Sequence, residues 1–169
     1  MKCVLRKPST LLSMKINLSQ PHILQVNVGR SWAAHEAALQ LAFEHCCLAV
    51  LIQEPWIFSD HSRRLSKHHP AYSQFSPIED WACRPRVLTY ILKHPLLSAV
   101  QVPFGPPIQD LLAVSISTMQ HSTILLVNVY NAPAGSIDGH QGVDHLQHIS
   151  IPHSPCPVSY THLTLPTKA

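Results

Sequence analysis

A chain of 169 residues, 46% of them hydrophobic, is long enough to bury one core and suits one domain rather than two. Only 12% of residues are charged, and histidine (13) and proline (15) are over-supplied; this composition, set against about 25% charge in ordinary soluble domains, points to a relaxed or damaged sequence. The net charge of +3 is too small to argue for nucleic acid, and the five cysteines show no CxxC spacing, which excludes a secreted disulfide framework and leaves reduced thiols in an intracellular protein.

The first twenty residues carry Lys2, Arg6, Lys7 and Lys15 around a single short apolar pair, Leu11-Leu12. That pair is too short for a signal-peptide core, so 1–20 is expected to be a disordered extension. No window is long enough for a membrane helix. From Ile23 apolar and polar residues alternate to Val28 and stop at Gly29, which predicts a strand. Ser31 is then placed to cap a helix over 32–47, with Ala34, Ala38, Leu41, Ala42 and His45 at helical spacing and Glu36 in the first turn. Residues 48–53 form a continuous apolar run ending at Glu54-Pro55, the pattern of a buried strand. The result is a strand–helix–strand unit.

Residues 56–86 read as polar and irregular. Four strand-like runs follow, at 87–92, 99–102, 111–116 and 123–129, separated by Pro95, a proline cluster at 103–107 and Met119-Gln120-His121. Beyond Asn131, prolines, glycines and histidines interrupt every possible element except a short helix over 143–149.

Two strands each deliver one polar residue from an apolar run: Asn27 from the first and Glu54 from the second. Strand ends of an α/β sheet are where ligands collect. A carboxylate paired with an amide there suits a hard divalent cation, although polar strand ends are common in any sheet.

The runs Ile23-Leu24-Gln25-Val26-Asn27-Val28-Gly29-Arg30, Leu51-Ile52-Gln53-Glu54-Pro55-Trp56 and Leu126-Val127-Asn128-Val129-Tyr130-Asn131-Ala132-Pro133 resemble three motifs of the endonuclease/exonuclease/phosphatase superfamily. Their order and separation are similar to the endonuclease of non-LTR (LINE-type) retrotransposons. The wording between them, Ile57-Phe58-Ser59-Asp60 and Arg84 to Tyr90, is most like fungal copies. The resemblance implies an α/β fold, an αββα two-sheet sandwich, of which this chain supplies most of the first sheet and the start of the second. It implies that Asn27 positions metal and scissile phosphate, that Glu54 is a metal ligand, and that Tyr130 with Asn131 contacts the phosphate region. It also implies Mg²⁺ or Mn²⁺ as cofactor, and DNA as the partner of an intact, nuclear parent. No protein partner is inferable.

The family also requires a later Asp-x-Asn motif, a late Asp and a His, and Asp138, Asp144 and the tail histidines do not stand in that context. Residues 21–137 are therefore expected to be a truncated endonuclease/exonuclease/phosphatase domain and 138–169 an irregular Pro/His-rich tail. Within it, residues 158–167 resemble a translated sequencing-library adapter; the alternative is an ordinary disordered terminus. Missing strands would leave apolar faces and edges open, so poor solubility is expected. Two functional readings stay open: a fragment of a metal-dependent DNA-nicking endonuclease, or a catalytically dead, at most nucleic-acid-binding, remnant. A phosphatase of the same superfamily is disfavoured by the stretch from Arg84 to Tyr90.

Blander readings stand beside these. His140, His145 and His148 invite a metal site, but no cysteine or carboxylate completes one. Cys46 and Cys47 are expected to be buried, small apolar groups. Arg63, Arg64 and Lys67 with His68 and His69 make one basic cluster, either a DNA-backbone contact or a solvated loop. Trp32, Trp56 and Trp81 are expected to pack on the sheet rather than stack on bases.

Overall fold

The computed structural model describes residues 20–59, 64–78, 83–103, 105–119, 123–132 and 141–147. Three sequence expectations fall partly or wholly outside them: the extension 1–20 apart from Gln20, the adapter-like segment 158–167, and the side chains of Arg63, Arg64, Trp81, Asp138, His140 and His148.

In chain order the elements are β1 (Ile23–Asn27), α1 (Trp32–Glu44), β2 (Ala49–Gln53), β3 (Ile57–Ser59), β4 (Arg64–Ser66), β5 (Tyr72–Phe75), β6 (Val87–Leu92), β7 (Leu97–Val102), β8 (Leu111–Thr118), β9 (Thr123–Val129) and α2 (Gln141–Gln147). One sheet has the order β1-β2-β6-β5 and the other β7-β8-β9, while β3 and β4 form a separate hairpin. The β1–β2 pair is parallel, as the α1 crossover requires; the rest of the ladders are antiparallel.

Side-chain alternation along the strands builds four layers. Val50 and Ile52 of β2, with Leu88 and Tyr90 of β6, face α1 through Ala38, Leu39 and Ala42. Their neighbours Ala49, Val87 and Ile91 face the second sheet and meet Leu112, Val114, Ile116 and Leu126. On that sheet's far side Leu111, Ala113, Leu125, Val127 and Val129 pack with Leu146 of α2. The order is helix, sheet, sheet, helix. Because β2 and β6 are covered on both faces, they read as unbroken apolar runs.

Several expectations change. The span 56–86 is not irregular: it holds β3, β4 and β5, of three, three and four residues, too short for periodicity to register. Helix α1 begins at Trp32 with the Ser31 hydroxyl accepting from the Ala34 amide, as expected, but it ends at Glu44 and has no acidic residue in its first turn. Its buried stripe is His35, Ala38, Leu39 and Ala42, whereas Ala34, Leu41 and His45 are exposed. The short helix expected over 143–149 is present as α2, but it starts earlier, at Gln141, and it packs on the second sheet. A Cβ on Gly142 would come within 2.5 Å of the Tyr130 carbonyl oxygen, so the helix approaches that strand end as only glycine allows.

The end of α1 is a Schellman turn without its usual glycine. The Cys47 amide donates to the Ala42 carbonyl at 2.8 Å and the Cys46 amide to Phe43 at 3.1 Å, with Cys46 at φ +52°. Cys47 is buried, as expected, and burial raises its thiol pKa; Cys46 is half-buried. Since a left-handed residue with a Cβ is strained, Cys46→Gly should stabilise the fold by roughly 0.5–1 kcal/mol. Urea unfolding measures this, and a less stable glycine variant would refute it.

His35 sits fully buried between α1 and β6. The Tyr90 hydroxyl donates to the Lys67 carbonyl at 2.7 Å, so at 3.1 Å the His35 Nε2–H donates to Tyr90. Burial, then the Lys67 charge, pushes the imidazole pKa down to about 4 from an ordinary 6.5. Between those values the unfolded chain binds the extra proton, so stability is complete above 6.5 and falls as pH drops toward 4. The expected loss is about 3 kcal/mol. Urea titrations at pH 7 and pH 4 should show it, with a smaller difference in His35→Gln; equal differences in both chains would exclude His35 as its source.

Candidate active site at the strand ends

The C-terminal ends of β1 and β2 lie side by side, with Asn27 opposite Gln53 in the parallel ladder. The chain leaves β1 through Gly29 and Arg30, both left-handed, at φ +54° and +59°. Asn27 Oδ1 accepts from the Gly29 amide at 2.8 Å and so closes the turn. It leaves β2 through Glu54, left-handed at φ +47°. A backbone bond of 2.7 Å from the Arg30 amide to the Glu54 carbonyl joins the two turns, and the Glu54 amide donates to the Arg86 carbonyl at 2.8 Å. Non-glycine residues rarely take this backbone region, and when they do the surrounding structure holds them there.

The second sheet brings the third motif to the same place. The Tyr130 amide donates to the Asp110 carbonyl at 2.8 Å, and Asp110 pairs with Arg86, Nη2 to Oδ2 at 2.7 Å. Burial first, and then the Glu54 charge, raise the Tyr130 pKa, so the hydroxyl stays protonated and is a donor beside that carboxylate. Asn131 follows at the same strand end, with its buried Oδ1 lacking a hydrogen-bond partner among the described residues. Asn27, Glu54 and Tyr130 are thus gathered at one end of the paired sheets, with Asn131 beside Tyr130.

Two buried amides hold this arrangement, and neither stands out in the sequence. Gln53 Nε2 donates across the sheets to the Val129 carbonyl at 2.7 Å. Asn128 Nδ2 donates in the opposite direction, to the Leu88 and Ile52 carbonyls at 3.0 and 3.3 Å. Each amide immediately or nearly precedes a site residue, so the pair sets the height of Glu54 relative to Tyr130. The only signal in the sequence is a polar residue at an inward-facing strand position.

The electrostatics are mixed. Arg30 Nη2 lies 3.5 Å from Glu54 Oε1, and the Arg30 side chain is 56% exposed against 21% for Glu54. Arg84 donates to the Pro55 carbonyl at 3.2 Å, and its pKa is lowered by burial and by Arg30 nearby. The Arg86 guanidinium lies 5.5 Å from the Tyr130 ring centre. The oxygen donors present, the Glu54 carboxylate and the Asn131 amide oxygen, are of the type a hard divalent cation takes. Asn27 Oδ1, engaged by the Gly29 amide, retains one lone pair that a cation could take, while its Nδ2 is a neutral donor suited to a phosphate oxygen.

Elsewhere, a cavity of about 450 Å³ is lined by Pro77, Ile78, Val102, Pro107 and Leu111 among others, and by none of these site residues. Among the described residues no group of three or more His, Cys, Asp or Glu has metal-binding proximity, and no helix is long and apolar enough to cross a membrane.

No family model and no curated protein matches the chain. Among solved structures, the endonuclease domain of TRAS1, a telomere-specific non-LTR retrotransposon, is similar with a TM-score of 0.58 and 20% identity over 76% of this chain. The chain spans about half, 52%, of that structure's length. This likeness concerns the fold: the chain is a mixed α/β protein of several sheets and few helices, built like the endonuclease domain of a non-LTR retrotransposon.

Proposed function

We propose that this chain is part of a Mg²⁺- or Mn²⁺-dependent DNA endonuclease, of the LINE type and with fungal-like wording, which in an intact nuclear parent nicks target DNA for retrotransposition. The observation that carries the reading is the meeting of the strand ends: Asn27 lies opposite Gln53, the Arg30 amide on the Glu54 carbonyl joins the two turns that follow, and Gln53 Nε2 on the Val129 carbonyl ties them to the residue before Tyr130. The fold likeness supports it.

In this reading Glu54 and the Asn27 amide oxygen would hold the cation, with the buried Asn131 amide oxygen as a further oxygen donor. When bound, it stabilises charge on a phosphoryl oxygen and on the leaving group. Asn27 Nδ2 donates to a phosphate oxygen without adding charge, and the Tyr130 hydroxyl donates to the same phosphate. Arg30 moves from the carboxylate to the DNA backbone.

The test is nicking of supercoiled plasmid by the full chain with Mg²⁺, with EDTA, and with Glu54→Gln. Metal-dependent nicking lost in the variant is the expected result; nicking indifferent to Glu54→Gln would sink the assignment. The second reading, a nucleic-acid-binding remnant without turnover, is favoured by one observation: Arg30 already neutralises the carboxylate the cation needs.

A further inference from the structure

The hairpin after Glu54 carries an exposed aromatic surface that the cleavage reading does not use. Among the described residues, β3 and β4 pair only with each other. Phe58 and Leu65 are directly opposite in that ladder, hence on one face, and are 47% and 55% exposed. Trp56 stacks on Phe58 with centroids 6.3 Å apart and planes 29° from parallel. The Lys67 ammonium, held by Glu36 at 2.9 Å, lies 3.3 Å from the Trp32 ring centre and 5.6 Å from that of Trp56. Trp32, expected to pack on the sheet, is instead 50% exposed, and Lys67 is not a solvated loop residue, its side chain being 15% exposed.

Two indoles thus flank one ammonium, and a phenyl ring stacks on one of them. Trp32 follows Arg30 by two residues and Trp56 follows Glu54 by two, so this surface borders the strand-end site. Open ring faces cost solubility unless something covers them. Planar rings beside a cation match the stacking and cation–π chemistry by which nucleobases are held, and each stacked base is worth roughly 1–3 kcal/mol. Arg30, Arg84 and Lys67 outnumber Glu36 and Glu54 locally, which suits a polyanion's backbone.

We propose that Trp32, Trp56, Phe58 and Lys67 form a stacking platform for an unpaired nucleobase of a DNA strand whose phosphates run toward Arg30. The proposal rests on the endonuclease reading for its choice of DNA, but base stacking needs neither metal nor turnover. The test is therefore made in EDTA. Binding of a labelled single-stranded oligonucleotide and of its duplex to the full chain is followed by fluorescence anisotropy, for wild type, Phe58→Ala, Phe58→Trp, Lys67→Met and Glu54→Gln.

Single strand should bind more tightly than duplex, and Phe58→Ala should weaken it by about 5- to 100-fold with unchanged far-UV circular dichroism. Phe58→Trp should restore it, Lys67→Met should weaken it, and Glu54→Gln, which frees Arg30 for the phosphates, should not weaken it even where that variant abolishes nicking. The platform is overturned if Phe58→Ala binds as wild type does, if duplex is preferred, or if the chain ignores oligonucleotides and binds anionic lipid vesicles. Loss of nicking with binding intact would instead leave the platform standing and count against the cleavage reading alone.

Discussion

Replacing Asp110 by alanine is expected to lower the stability of the chain by about 3–5 kcal/mol, the scale for breaking a buried ion pair from one side. Asp110 is 1% exposed, and the Arg86 side chain that it pairs with is 12% exposed. The pair is bidentate, Nη2 to Oδ2 and Nε to Oδ1, so the variant strands a guanidinium in a place water barely reaches. The loss is a large share of the 5–15 kcal/mol that ordinarily separates folded from unfolded, and corresponds to a fall in Tm of roughly 10 °C. Thermal unfolding of wild type, Asp110→Ala, Arg86→Met and the double variant measures it. The double variant should be less damaged than Asp110→Ala, because no buried charge is left alone; a single variant within 1 kcal/mol of wild type would refute the argument. The pair also shapes the site, since Arg86 and Asp110 lend their carbonyls to the Glu54 and Tyr130 amides.

Glu54→Gln is the second large effect, and it acts on chemistry rather than stability. Glutamine keeps the length of the side chain but removes the charge that a divalent cation and Arg30 compete for. Metal-dependent nicking is expected to fall by about 100-fold or more, the scale set by losing one charge-stabilising group in a transition state. Binding of Mn²⁺, read by water-proton relaxation, should be lost in parallel. Three results separate the readings. Nicking and Mn²⁺ binding that both require Glu54 support the endonuclease. Mn²⁺ binding that requires Glu54, without nicking by wild type, supports the inert remnant. Mn²⁺ binding equal in wild type and variant removes Glu54 from the metal site.

The amino-acid sequence by itself determined the elements whose side chains are sorted by water. The alternation from Ile23, the double-sided apolar runs of β2 and β6, the Ser31 cap and the polar residues Asn27 and Glu54 at strand ends are local patterns, and each lies where the residues place it. The three motifs that carry the resemblance also belong to the sequence alone. Tertiary structure decided the rest, because it depends on partners far along the chain. Strands β3 to β5 exist through pairing rather than periodicity. The buried face of α1 runs through His35 rather than Leu41 because Tyr90, fifty-five residues away, lies beneath it. Trp32 is exposed because its ring covers Lys67 and not the sheet. Gln53 and Asn128 join sheets across a separation of seventy-six residues, and Arg30 meets Glu54 only after β1 and β2 pair. Hydrophobic patterning acts on each residue according to its neighbours in the chain, whereas a hydrogen bond or ion pair between distant residues has no local signature until the fold brings its ends together.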